Sequence, residues 1–396
     1  MAASISSHPF LDFSVNVYKQ LVSQRSRRGN IIYSPVSICG ALSMLLAGAR
    51  GNTATELSAV LRTLECYPFY HYFHVFFSND SRAIDGVKVH SANRIFCDQA
   101  FPVLHSYRSL LCNTHGAAIE AVDFRKDFEN VRRRINSWIE IVTASNIKGY
   151  LSPGRLDALA TMIIVNAVHF KGLWQFYFNP TKMSRSCFFG SMGIREVSMM
   201  CQVVKYKTAS CDDLNVRAME IPFRGGLSSM VVIVPNEING LFTLEPRLTA
   251  PKLNSLLKNL CYRGDTTLYL PKFKLELAVD FKVPLQGIGI KDLFTPEADL
   301  SGISETADLF ASGFFHKASL EVDECGKQPH PADLEATSSQ CDPVLSLNSL
   351  LIVNRPFMFL VRASETDVVH CMGSVRDFER NHVADNSFKT WSLPPR

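Results

Sequence analysis

No continuous apolar stretch in this chain reaches the length of about 18 residues that a membrane-crossing helix needs, so no span is expected. There is no C-x-x-C pair, no internal repeat and no low-complexity tract. Without close pairing, the 11 cysteines suit neither a disulfide framework nor a zinc site; an odd number spread evenly reads as mostly free, buried thiols in a reducing compartment. A large excess of charge is missing too, the net value being +4 over 396 residues. Arg25, Arg27 and Arg28, and Arg132, Arg133 and Arg134, form basic clusters without interleaved aromatics. They read as solvated faces, and no nucleic-acid partner is expected. Enzyme signatures are absent or broken. Gly287 and Gly289 begin a dinucleotide-like pattern, but Asp292 stands where the third glycine is needed. No G-x-S-x-G, Walker loop or H-E-x-x-H occurs, and no spacing joins Ser, His and Asp into a triad. His71 and His74 could share a helix face, yet the surrounding YHYFHVFF reads as core. Neither an enzyme, a cofactor nor a metal is expected.

What is present suits a packed core: 46% of residues are hydrophobic and 20% charged. Near the N-terminus, Phe10, Phe13, Val17 and Leu21 line one face while Asp12, Asn16 and Lys19 interrupt it. That spacing predicts an amphipathic helix rather than a cleaved leader, hence a cytoplasmic protein, with export by an internal signal or an unconventional route left open. On export, Asn79-Asp80-Ser81 would be a glycosylation sequon.

Ser34 followed by Pro35 is a helix start, because serine caps orphan N–H groups and proline fits the first turn. Ile38, Ala41, Leu42, Leu45 and Leu46 continue at helical spacing until Gly48. Thr53 and Glu56 have capping-box spacing. Phe128, Val131, Ile135, Trp138, Ile139 and Val142 predict another amphipathic helix. LATMIIVNAVHF, 159 to 170, is nearly all apolar and rich in β-branched residues, which predicts a strand covered on both faces. SSMVVIVP and TTLYLPKFKLEL predict further strands, the second interrupted around Pro271. Helices early and strands later point to an α+β domain with one large sheet.

One segment breaks this pattern. EVDECGKQPHPADLEATSSQCDPV, 321 to 344, opens with strand-like alternation and turns at Gly326 into prolines, charges and small polar residues. Its place becomes intelligible through a resemblance. NIIYSPVSICGALSMLLAGARGNTATEL, VNAVHFKGLWQFYF, LPKFKLEL, GIKDLFTPEADLSGIS, FHKASLEVDE and NRPFMFLVR, in this order, resemble the serpins, closest to their ovalbumin-like intracellular type. The resemblance implies a single domain over residues 1–375 with three β-sheets, about nine helices and an exposed reactive-centre loop at about 326–350. Residues 376–396 would be an extension without assigned role. It also implies a monomer whose loop is bait for a protease: after cleavage and acylation, the loop's first half inserts into the main sheet and drags the protease away.

Roles carried over by the resemblance fall on named residues. Ser34, Ser37, Asn166 and His316 would form a polar shutter where the central strands part. Trp174 would sit where insertion begins, and Lys272 would pair with Glu324 near the hinge. The plainer readings are a helix cap for Ser34 and a satisfied core histidine for His316. Counting from Gly326 puts the scissile bond at Gln340–Cys341, with Leu345 or a neighbour possible because the loop is longer than usual. No Lys or Arg lies between 328 and 354, which points to a chymotrypsin-like, elastase-like or cysteine protease rather than a trypsin-like one. Cys325 and Cys341 would be exposed thiols.

The hinge departs from the family's run of small residues. Lys327, Pro329, Pro331 and Asp333 take positions that would face the core after insertion, and a one-residue shift would turn Gln328 and His330 inward instead. Each proline in regular structure costs about 3 kcal/mol and each buried unpaired charge several more, on the order of 10 kcal/mol together. Two functions are therefore carried forward: a serine-protease inhibitor of the suicide-substrate type, and a non-inhibitory serpin that binds a partner or ligand and is only a protease substrate.

Overall fold

The computed structural model describes residues 9–25, 29–61, 86–325, 350–364, 366 and 368–378, and among them the chain forms eight α-helices and fourteen strands. The helices are α1 (Pro9–Gln24), α2 (Pro35–Gly48), α3 (Gly51–Leu61), α4 (His105–His115), α5 (Phe124–Val142), α6 (Gly240–Arg247), α7 (Ala250–Lys258) and α8 (Lys282–Gly287). The strands are β1 (Ile31–Tyr33), β2 (Val87–Asp98), β3 (Ala118–Val122), β4 (Met162–Gly172), β5 (Ser184–Gly190), β6 (Gly193–Cys211) and β7 (Val216–Pro222). They continue with β8 (Ser228–Pro235), β9 (Cys261–Pro271), β10 (Phe273–Asp280), β11 (Ala311–Val322), β12 (Leu350–Ile352), β13 (Phe357–Ala363) and β14 (Val369–Val375).

The apolar run after Thr161 forms β4 and is buried almost throughout, because both faces of its sheet are covered. That sheet has five strands in the order β10-β11-β4-β2-β3. One face packs on α2, whose apolar residues are buried nearly all round. The other carries α5, with Val131, Ile135 and Ile139 set against Phe96, Ile163, Val165 and Phe315. Burying each such isoleucine contributes about 1.5–3 kcal/mol relative to leaving it in water. Within the sheet, β4 and β11 are direct neighbours and run parallel, paired from Met162 with Ala311 to Lys171 with Glu321.

The second sheet has nine strands, β1-β14-β13-β8-β7-β6-β9-β12, with β5 added on β6. Its continuity comes from the 19-residue β6, which pairs with β5, β9 and β7 along successive stretches. Where the resemblance implies three sheets, the described strands form two, the larger one continuous through β6. The segment between β11 and β12, residues 326–349, links the two sheets and lies outside the described residues, as does the chain beyond 378. The chain past Val375 first completes the fold: Arg376 is buried and pairs with Glu245, which also accepts from the Tyr18 hydroxyl at 2.5 Å.

Three local expectations need correction. Thr53 and Glu56 do not form a capping box, since α3 begins at Gly51; they face a neighbouring loop, where Thr53 Oγ1 accepts from Asp299 N–H and Glu56 from the N–H groups of Lys291 and Asp292. Phe128 is exposed, because Asp127 has non-helical angles (φ −145°, ψ 33°) that break the first turn of α5 away from its apolar face. The cysteines are not mostly buried: among the described ones Cys112, Cys187, Cys261 and Cys325 are exposed, while Cys39, Cys97 and Cys371 are buried. The first three exposed ones lie near helix or strand ends and on outward strand faces, where spacing alone gave no warning. No helix among the described residues is long and apolar enough to cross a membrane.

Candidate functional site

The parallel seam between β4 and β11 gathers most of the polar residues singled out in the sequence. At its middle, the paired residues Asn166 and His316 point to the α2 face. α2 reaches them because Ser34 caps its first turn: Ser34 Oγ accepts the Ser37 N–H at 3.3 Å. Ser37 Oγ donates to Asn166 Oδ1 at 3.0 Å, and Asn166 Nδ2 donates to Ser37 O at 3.1 Å and to Asn93 Oδ1 on β2. His316 Nδ1 donates to Asn166 Oδ1, while its Nε2 accepts the Ser34 backbone N–H at 3.1 Å. Those partners require the neutral ring. Burial enforces the same state, pushing the His316 pKa down to about 3. Ser34, Ser37, Asn166 and His316 are all buried, so the bonds among these four are made without competition from water. Ser34 therefore is the helix cap of the plainer reading and a member of this network as well.

On the opposite face, the connector between α5 and β4 lies against the same level of the seam. The Tyr150 hydroxyl accepts the Asn166 N–H at 3.0 Å and also approaches the carbonyls of Asn166 (3.0 Å) and Phe315. Lys317 Nζ donates to Lys148 O at 2.7 Å from β11. Neither residue was marked by the sequence. Tyr150 bonds to main-chain atoms of distant strands, and such partners leave no side-chain pattern to read.

The end of the seam is pinned differently. Three consecutive carbonyls after β11 are held by the chain that follows β4: Asp323 O accepts from Trp174 Nε1 at 2.7 Å, Glu324 O from Phe178 N–H at 3.2 Å, and Cys325 O from Trp174 N–H at 3.1 Å. Trp174 is buried, stacked on Phe223 with ring centroids 4.8 Å apart, and edge-on to Phe178. Lys272 Nζ lies 2.7 Å from Glu324 Oε2. That bond raises the lysine pKa and lowers that of the carboxylate, although the half-exposed pair contributes under about 1 kcal/mol. Lys171 bridges Glu321 and Asp323, each at 2.8 Å. Partial burial works against its charge, but the two carboxylates outweigh this and hold its pKa above the ordinary lysine value. The cross-strand pairing of Lys171 with Glu321 was the one signal for it, visible once the register is known. Burial and the neighbouring Asp323 raise the pKa of the exposed Cys325 thiol.

The structure thus brings Ser34, Ser37, Asn166 and His316 into one network and Trp174, Lys272 and Glu324 into another at the end of the same seam. Gly326, Lys327, Pro329, Pro331, Gln340 and Cys341 lie outside the described residues, as do His71, His74, the sequon at 79–81, Arg27 and Arg28. No cluster of three or more metal-ligating side chains occurs among the described residues.

Residues 10–378 match the family model described as Serpin (serine protease inhibitor). The chain is 43% identical over 379 residues to Ipis-1 of Ixodes persulcatus, covering 95% of this chain and 100% of that protein. It is 31% identical over 368 residues to the leukocyte elastase inhibitor of Sus scrofa, covering 91% and 96% of the two chains. Among solved structures it resembles uncleaved ovalbumin, with a TM-score of 0.85 at 27% identity over 94% of this chain and 99% of that one.

Proposed function

Because the chain belongs to the serpin family, whose function is the inhibition of serine proteases, we propose that it offers residues 326–349 to a target protease and receives the cleaved segment in the seam between β4 and β11. One observation carries this reading: β4 and β11 are adjacent and parallel, and β11 leads through Cys325 directly into that segment. A segment turning back after Cys325 would run antiparallel to both strands. It would replace one parallel ladder by two antiparallel ones, which are somewhat more stable per residue. The bonds of Ser34, Ser37, Asn166 and His316 are those that must break and re-form as the seam parts. Trp174, Lys171 and Lys272 hold the end at which the strand would enter.

The proposed target is elastase- or chymotrypsin-like. In support, no Lys or Arg lies between 328 and 354, and one relative is named as a leukocyte elastase inhibitor. The second reading, partner or ligand binding without insertion, rests on Lys327, Pro329 and Pro331, whose burial in a sheet carries the penalty worked out above. Incubation with elastase and chymotrypsin decides between them. An adduct that survives boiling in SDS, and a large rise in melting temperature of the nicked protein, are expected for trapping. Clean cleavage with an unchanged melting temperature would sink it in favour of the second reading.

A further inference from the structure

Tyr150 lies in the connector between α5 and β4, is 4% exposed, and belongs to the apolar cluster of Ile135, Ile139, Ile147, Leu151 and Phe315. No water competes for its hydroxyl there, and every bond it makes goes to main-chain atoms of the two seam strands. It takes the Asn166 N–H on β4 at 3.0 Å and reaches the Phe315 carbonyl on β11, with the Asn166 carbonyl at 3.0 Å sharing its single proton. Asn166 pairs with His316 in the register, and Phe315 is the next residue along. The hydroxyl therefore sits between the strands at the level where Ser37, Asn166 and His316 close the opposite face. Both faces of the seam are fastened at one level, through Asn166 and His316 on one side and Asn166 and Phe315 on the other. A strand entering between β4 and β11 must meet these same backbone groups, so it cannot pass this level until the phenol has let go.

We propose that Tyr150 is a positioning residue that sets how readily β4 and β11 separate. The proposal deepens the reading of the seam as the receiving site and rests on that reading for its consequence in trapping; the bolt itself is a property of the intact protein. The hydroxyl is worth about one net buried hydrogen bond, so its removal should raise the frequency of seam opening by roughly fivefold to tenfold.

Tyr150→Phe keeps the ring and removes only the bonds. Hydrogen exchange would be followed by mass spectrometry on the intact variant and parent, in peptides covering 162–168 and 313–318, with 357–363 and 369–375 as the reference. The expected result is exchange in the two seam peptides faster by roughly fivefold to tenfold, with the reference peptides unchanged. Equal acceleration of seam and reference would reduce Tyr150 to a general contributor to stability and overturn the proposal, and so would unchanged exchange everywhere. This measurement needs neither protease nor insertion, so a failure of trapping in the adduct assay leaves its outcome readable. Where trapping does occur, the variant's nicked form should gain its raised melting temperature faster than the parent's by a similar factor, and an equal rate would overturn the role in insertion.

Discussion

Acidification tests the central polar network through one proton. His316 is buried, donates from Nδ1 to Asn166 and accepts at Nε2 from the Ser34 N–H, so the folded protein has no place for a second ring proton. Its other close neighbour is Phe281, edge-on at 5.3 Å. Burial brings the folded-state pKa to about 3, against 6.5 for an ordinary histidine. Between those values the unfolded chain holds one proton more than the folded one. The stabilisation is fully present above pH 6.5 and is lost as pH falls, at about 1.4 kcal/mol per unit, or roughly 2 kcal/mol between pH 7 and pH 5. His169 and His370, both lowered to about 4 by burial, add losses of the same sign in the same window. Urea unfolding of the parent and of His316→Gln at pH 7, 6 and 5 measures the difference. Glutamine does not titrate, so the variant starts less stable but should lose about 2 kcal/mol less than the parent between pH 7 and pH 5. Parallel pH dependences in the two proteins would refute the neutral, doubly bonded His316 on which the network is built.

Two further substitutions separate buried from main-chain effects. Arg376→Met would leave the Glu245 carboxylate, 2% exposed, with the Tyr18 hydroxyl as its remaining strong donor, and should cost about 3–5 kcal/mol in a melting or urea experiment; a loss under about 1 kcal/mol would mean that water reaches the pair. Gly373→Ala would place a Cβ 2.0 Å from the Ile31 carbonyl oxygen, which is backbone and cannot turn aside, so β1 must shift from β14. A destabilisation above about 2 kcal/mol is expected, and a neutral substitution would contradict the close approach of the two strands.

Patterns within one element were legible; those needing two elements were not. The run MIIVNAVHF announced a strand covered on both faces, and Ser34 before Pro35 announced a capped helix, because each signal is local and each structure follows from it. The interrupted strand at Pro271 was readable for the same reason, with β9 and β10 meeting around Lys272. Thr53 and Glu56 looked like a local cap but serve a segment more than 230 residues away, as the Glu56 bond to Lys291 illustrates. Phe128 kept its helical spacing in sequence and lost it in space through one broken turn at Asp127. In the candidate site, the motifs brought Asn166, His316, Trp174 and Lys272 forward, while Tyr150 and the Lys171–Asp323 bridge appear only when the strand register places their partners beside them.

The position of the last strands bears on how this chain comes to be folded at all. β13 and β14 are made after every other described strand, yet they fill the interior of the nine-stranded sheet, between β8 and β1, and β1 pairs with β14. Until the ribosome has released them, β8, buried along its whole length in the finished molecule, has an uncovered edge. An unfinished polypeptide of this kind is open to pairing with any other extended chain. Nascent or C-terminally shortened forms should therefore depend on chaperones to a degree that the mature molecule does not.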